Sequence, residues 1–550
     1  MKILKVLVNS LISGLFFCFL LALLISDLNI NLYFNLVFLG QLTLFLCITY
    51  GAFISLISFA LFFVIQFFSG KKCRIAFISP SFLSISFSLN LFLFLLIFRD
   101  NRGYFRSLFS LEIQNTLDMQ STLLLILAFI GLVSFYLYHR YRKRAFYFCV
   151  YFILLGACLV YVINQRLLYP MPIKTPKLAS IDAKEIDKKI TIIGLEGLSF
   201  DFLIPFIDGG KLPNFSWLLD NGCWGNLESL SPSEPVILNN SFNTGKRPAK
   251  HRLISLYTFQ PLLVSQSIEV TPRNIFFRQL TKPGLVKVFP NNTTPFVKDI
   301  WKILEENNIS VLKRDWPYEF QFPKPSPRAE KGFDLYFKEL KDEPGPGFQI
   351  IEQAFYRDFE YEDMVSRVKG KSPHRILYFL LNGLNIVETY FYKYSFPDLY
   401  GNILQEDISR YGSVIKKYYE FYDTIVGKYL AALKEDELLV VFSPHGIEAL
   451  PLWKRFVEGL IGNPDVSAYH EDAPAGMVFF YGKDIIRGKN IVEMRLIDII
   501  PTLLNYLGLP VGKDMDGIVN SSIFVDEFRA ENPIWMILSY EEIWIKSLTN

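Results

Sequence analysis

Cysteine is scarce in this chain, with six in 550 residues. Cys18, Cys47, Cys149 and Cys158 sit inside apolar segments, Cys73 lies in a short basic turn, and only Cys223 falls in the polar remainder. That set contains no CxxC pair and cannot build a disulfide framework or a zinc knuckle. Excess charge is also missing. A formal net charge of +3 gives no clustered basic face of the kind nucleic acid demands, so a nucleic-acid partner is excluded. Charged residues are absent from the middle of every long apolar run, which removes the usual signature of an ion or proton path. Anchoring, or packing with a partner, is therefore favoured over transport for those runs.

What is abundant is hydrophobic surface. Hydrophobic residues make up 51% of the chain and aromatics 16%, with the excess concentrated before about residue 165. A bilayer core needs about 20 apolar residues in helical form, and five stretches qualify: 5–26, 34–68, 77–98, 121–138 and 145–163. The second is long for one crossing and short for two, and is read as one long or tilted helix. Lys2 and Lys5 precede the first stretch, Lys71, Lys72 and Arg74 follow the second, and Arg140, Arg142, Lys143 and Arg144 join the last two. These clusters share one side only with five crossings and a cytoplasmic N-terminus. The expectation is a multi-pass membrane protein with its C-terminal domain outside the cytoplasm. A cleavable signal peptide at 1–26 is disfavoured by the apolar segments that follow.

Three regions follow: a transmembrane region 1–165, a linker 166–188 with a short charged helix at 182–188, and a domain 189–550. In the last, short β-branched or aromatic runs alternate with helical-length amphipathic stretches. The candidate strands are Lys189–Gly194, Ser310–Lys313, Arg375–Leu381, Glu437–Ser443 and Gly476–Tyr481. That alternation predicts an α/β fold whose mostly parallel sheet is sandwiched by helices, with function at the carboxyl ends of the strands.

The residues after those strands form an ordered series. Gly194-Leu-Glu-Gly-Leu-Ser-Phe-Asp201 is followed by Gly210-Lys-Leu-Pro-Asn214, Ser231-Pro-Ser-Glu-Pro235 and Asn243-Thr-Gly-Lys-Arg-Pro248 with His251. Later come Ser443-Pro-His-Gly446, Asp498-Ile-Ile-Pro-Thr502, Leu507-Gly-Leu-Pro510 and Asp514-Met-Asp-Gly517. The series resembles the type I phosphodiesterase/nucleotide pyrophosphatase branch of the alkaline phosphatase superfamily. It runs from about 189 to 525, and 255–370 is read as a family-specific cap or insert.

That resemblance implies a two-metal site, usually zinc, and a Ser or Thr nucleophile. Paired cations activate the nucleophile and clamp the charge on the transferred phosphoryl group, which calls for Asp and His ligands on strand ends. The family's first Asp corresponds to Glu196, one methylene longer. Its nucleophile, ten residues before the Gly of the Thr-Gly pair, corresponds to Pro235; Ser233 serves only if the chain is realigned by two. Asn385 and Thr389 replace the Asp and His of Asp-x-x-x-His. Pro444 replaces the Asp of Ser-Asp-His-Gly, while His445 and a later His, His470, remain.

The residual metal candidates are thus Glu196 and His445 for one site and His470 for the other, each short of the three protein ligands a catalytic zinc takes. Cofactors are expected to be none, or a residual divalent metal (zinc if any). Glu234 and Glu388 are candidate replacement carboxylates, weighed against solvated or helix-capping roles. His251 is assigned no chemistry. The Asp514–Gly517 turn marks the end of the fold, not a calcium loop. The leading expectation is a catalytically degenerate phosphodiesterase-like domain used for binding or assembly with an envelope glycan, a lipid or a membrane-protein partner. The alternative is an active metal-dependent phosphoester or sulfoester hydrolase or transferase of the envelope, drawing ligands from Glu234, Glu388, Glu448 or Asp472.

Overall fold

The computed structural model describes residues 2–69, 75–141, 146–169, 188–291, 297–314, 325–369, 373–401, 403–471 and 474–541. The charged helix expected at 182–188 lies, apart from Lys188, outside them. The chain divides into two compact units, one formed by Met1–Lys174 with Pro248–Phe296 and the other by Thr175–Arg247 with Val297–Asn550.

The first unit is built on long apolar helices. They are Lys2–Leu28 (α1), Leu36–Leu46 (α2), Ala52–Ser69 (α3), Pro80–Tyr104 (α4), Leu111–Tyr141 (α5) and Phe146–Leu167 (α6). A single π turn, Cys47–Gly51, carries α2 into α3. Among the described residues five spans are long and apolar enough to cross a membrane, with α2 and α3 contributing one, Leu36–Val64. Small residues let helices approach closely, as expected where apolar burial gives no drive between them. A Cβ on Gly14 would stand 2.3 Å from Ser55 Oγ, and beside it the Ser13 and Ser58 hydroxyls bond at 3.0 Å. Arg166, buried near the end of α6, donates to the carbonyls of Ser26, Asn29 and Leu32. It thereby satisfies acceptors that the end of α1 leaves open.

Pro248–Phe296 groups with these helices. Its hairpin pairs Tyr257–Pro261 with Val286–Pro290. Asn29 Oδ1 accepts from the Glu269 and Val270 amides at 2.7 and 2.8 Å, and its Nδ2 donates to Val270 O at 2.9 Å. Asn31 donates to Arg252 O and Glu269 Oε2, and Asn101 Oδ1 accepts from the Arg273 amide at 2.7 Å. The stretch 255–370 is therefore not one body, because its first part docks on helix ends and the rest belongs to the second unit.

The second unit holds a seven-stranded sheet: Lys189–Leu195 (β1), Cys223–Glu228 (β2), Val311–Arg314 (β3), Ile376–Leu381 (β4), Glu437–His445 (β5), Ala475–Tyr481 (β6) and Lys489–Arg495 (β7). Their spatial order is β7-β2-β6-β5-β1-β4-β3. Only β6 runs antiparallel to its neighbours, so the sheet is mostly parallel, as the alternation predicts. The strands are apolar on both sides. Ile193, Leu195, Phe379 and Val441 face one helical layer, while Ile190, Ile192, Tyr378 and Val440 face the other.

The framework motifs clasp one another. The Asp516 and Gly517 amides both donate to Gly245 O at 3.0 Å. Gly245 (φ 64°) caps the helix Pro235–Thr244. Buried Lys246 meets Asp514 at 2.6 Å and Glu541 at 2.7 Å.

Candidate functional site

Three adjacent strands deliver the predicted positions. Glu196 directly follows β1, and its amide donates to Leu381 O at 2.9 Å. β4 leads into the helix Gly383–Ser395, which carries Asn385, Glu388 and Thr389. β5 carries Pro444 and His445 as its last two residues. Gly197 (φ +98°) lets the chain turn here, since a Cβ would come within 2.5 Å of Glu388 Oε2 and 3.0 Å of the Asn385 amide nitrogen. The Gly-Leu-Glu-Gly pattern thus reflects a backbone pressed against the following helix.

These residues separate into two groups. In the first, Glu196 is buried, and burial followed by the charge of Asp358 raises its carboxyl to about 8. Glu388 is fully buried and raised well above the usual carboxylate range, chiefly by burial, with a weak opposing bond from Tyr419. This corrects the solvated or capping role weighed for Glu388: it faces the core beside Tyr419, not solvent. Asp358 Oδ2 accepts from the Gly383 amide at 3.0 Å and from the Tyr418 and Tyr422 hydroxyls at 2.9 and 2.8 Å. Those donors oppose the effect of burial, which still leaves the group at about 7. Glu196 Oε2, Glu388 Oε2, Asn385 Oδ1 and Asn382 Oδ1 have no hydrogen-bond partner. Buried oxygens in that state are tolerable when the carboxyls are neutral. Sequence reasoning missed Asp358 and its tyrosines. The signal was the spacing of Tyr418, Tyr422 and Tyr429, a stripe on one helix whose hydroxyls need buried acceptors.

In the second group the rings of His445 and His470 stack at 4.4 Å with 22° between their planes. Burial, aided by His470, depresses His445 to about 3. Burial also depresses His470, against the charges of Glu234 and Glu471. His445 Nδ1 lies 3.0 Å from Gly446 O, so it carries the proton and donates. Ser233 Oγ lies 3.1 Å from His470 Nδ1 and donates to His470 O at 2.8 Å. Its hydroxyl proton is thus committed to a carbonyl rather than offered to the imidazole. A cavity of ≈ 340 Å³ opens here, lined by Ser233, His445, His470, Glu228, Glu471 and Glu493 among others. Among the described residues its lining holds no Lys or Arg.

The remaining positions are spent structurally. Pro235 is the first residue of its helix, and Glu234 holds the N-cap position without a side-chain bond to the helix. Thr389 Oγ1 donates to Asn385 O at 2.8 Å. Buried His251 accepts from the Leu253 amide at 3.2 Å. Asp472 lies outside the described residues.

The model of the type I phosphodiesterase / nucleotide pyrophosphatase family matches residues 190–499, more than half of the chain. The chain belongs to this family. Among curated proteins none matches it. Set against the family's two-metal centre, the donors here do not fit. Asn385, Thr389 and Pro444 are neutral, the two imidazoles stack face to face, and among the described residues no three His, Cys, Asp or Glu side chains are grouped to hold a metal.

Proposed function

We propose that the α/β unit is a phosphodiesterase-like domain without hydrolytic activity, serving as a binding or assembly module on the outer face of the membrane. The observation that carries this reading is Pro235. It is the first residue of a helix and falls where the spacing from the Thr-Gly pair puts the family's nucleophile, and a ring carbon cannot attack phosphorus. The neutral set Asn385, Thr389 and Pro444 at ligand positions supports the same reading.

The outside placement is supported by charge and by packing. The three basic clusters share one side of a five-span bundle. Pro248–Phe296 docks on Asn29, Asn31 and Asn101 at the far ends of α1 and α4 from Lys2 and Lys5. As to what is bound, the cavity beside His445 offers carboxylates, hydroxyls and uncharged imidazoles without a cation. That chemistry favours a hydroxyl-rich envelope glycan over a phosphate or sulfate group.

A working metal-dependent hydrolase is the second reading. The partnerless oxygens of Glu196, Glu388 and Asn385 favour it, because a bound cation is one way to satisfy buried oxygens that have no donor. Metal analysis of the full-length protein after equilibration with Zn²⁺ or Mn²⁺ and gel filtration separates the two. The degenerate module predicts no retained stoichiometric metal, and tight stoichiometric retention would establish the second reading instead.

A further inference from the structure

The docked segment 248–296 presents an outward apolar face that nothing in its own fold requires. Leu263 (φ 67°) and Phe276 (φ 49°) both adopt the left-handed backbone region, which bulky L-residues avoid because Cβ crowds the neighbouring carbonyl. Both point outward, at 58% and 50% exposure, and Leu262 beside them is 52% exposed. Strain that places large apolar side chains in the open makes sense only where their surroundings are apolar.

The position of these residues along the bundle identifies the surroundings. Ser265, two residues past Leu263, donates through its amide and its hydroxyl to Gln41 Oε1 on α2 at 3.0 and 2.8 Å. Ile275 O accepts from Tyr50 in the π turn at 2.7 Å, and Phe277 packs on Phe45 with centroids 6.0 Å apart. At 1.5 Å per residue these contacts lie about 7 to 20 Å down the helix from Leu36. The span Leu36–Val64 has 29 residues, about 44 Å against a hydrocarbon core of about 30 Å. Its outer stretch leaves Leu36, Val37, Leu44 and Ile48 exposed, an apolar stripe on a span long enough to cross a membrane. The segment is fastened alongside that stripe.

We propose that Leu262, Leu263 and Phe276 form a wedge that contacts the acyl chains of the outer leaflet, so that this segment is a lipid-binding surface and not a water-exposed loop. The inference rests on the outside placement argued above only for the name of the leaflet; contact with acyl chains holds in either orientation. It also accounts for the extra length of the second span, whose outer turns have a protein partner on one side and lipid on the other.

The chain's seven tryptophans all lie outside residues 1–174 and 248–296, so a tryptophan placed in the wedge reports a new environment. The full-length protein carrying Leu263→Trp or Phe276→Trp is reconstituted in phosphatidylcholine nanodiscs with plain or acyl-chain-brominated lipid. The control is Leu335→Trp, at an exposed position of the α/β unit. The expected result is blue-shifted added emission that brominated lipid quenches beyond the parent protein's loss, with no such excess in the control. Equal quenching in wedge and control variants would overturn the proposal, as would an unquenched wedge tryptophan, including one shielded by a second copy or another protein. Should Leu263→Trp fail to give monodisperse protein, Leu262→Trp at the neighbouring exposed position serves the same reading.

Discussion

Replacing Glu196 by Gln removes one titrating group while keeping its shape, so its effect on stability must depend on pH. In the folded chain this carboxyl sits at about 8, against 4.5 when unperturbed. Between those values the folded state holds a proton that the unfolded state has released, so stability falls as pH rises through the window. Each unit costs about 1.4 kcal/mol, so the step from pH 6 to pH 8 removes about 2–3 kcal/mol through this residue alone. Asp358, raised to about 7, adds a smaller loss in the same direction that ends near pH 7. His445, depressed to about 3, works the other way, stabilising as pH rises from 3 to 6.5, and is silent above that. Above about pH 7 only Glu196 of these three still titrates, and comparison with the variant cancels the other two below it. Glu196→Gln should melt near the parent temperature at about pH 4, about 4 °C above it at pH 6 and about 8 °C above it at pH 8, since the parent has lost about 2 and about 4 kcal/mol by those points, at about 2 °C per kcal/mol for a domain of this size. The assay is thermal unfolding of the full-length protein followed by tryptophan fluorescence, which reports the α/β unit. Parallel pH dependence in parent and variant would refute a buried, neutral Glu196.

Other outcomes follow from the packing. Lys246→Met strands Asp514 and Glu541 around a lost ammonium and should lower stability of the α/β unit by about 3 kcal/mol, read from the same melts. Asn29→Ala deletes three bonds to the docked segment; protease cleavage within 255–290 should accelerate at least tenfold, at about 1 kcal/mol per bond, while the helices stay intact. For orientation, Ser110→Cys, between α4 and α5, should react with a membrane-impermeant maleimide on intact cells, and Lys72→Cys only after permeabilisation. The reverse pattern would invert the assigned topology.

How much of this was legible in the sequence differs by element. The five spans were, because a bilayer imposes one length and one composition. The strands β1, β4, β5 and β6 were too, since both faces are buried and their residues run almost continuously apolar, and the short edge strand β3 was found with them. β2 and β7 were not. Cys223–Glu228 holds Gly225 and Asn226, and Lys489–Arg495 is a charged edge whose pattern reads as a loop. The attachment of 248–296 to the helix ends could not be read, because it depends on Asn29, Asn31 and Asn101 meeting backbone groups far away in sequence. Within the site, motif spacing located Glu196, Asn385 and His445 on adjacent strand ends. The burial of Glu388 and the Asp358–Tyr418–Tyr422 cluster are tertiary facts, since a carboxylate's surroundings come from other elements. Ring stacking of His445 on His470 is of the same kind: both are candidate ligands by motif, and their geometry is that of packed rings.

The most direct test is turnover. Full-length protein in detergent, with bis(p-nitrophenyl) phosphate and Zn²⁺ or Mn²⁺ added, should release nitrophenol no faster than the buffer. Zinc-dependent hydrolysis that disappears in Glu196→Ala would contradict the account, since it would require a seated metal and a nucleophile other than Pro235.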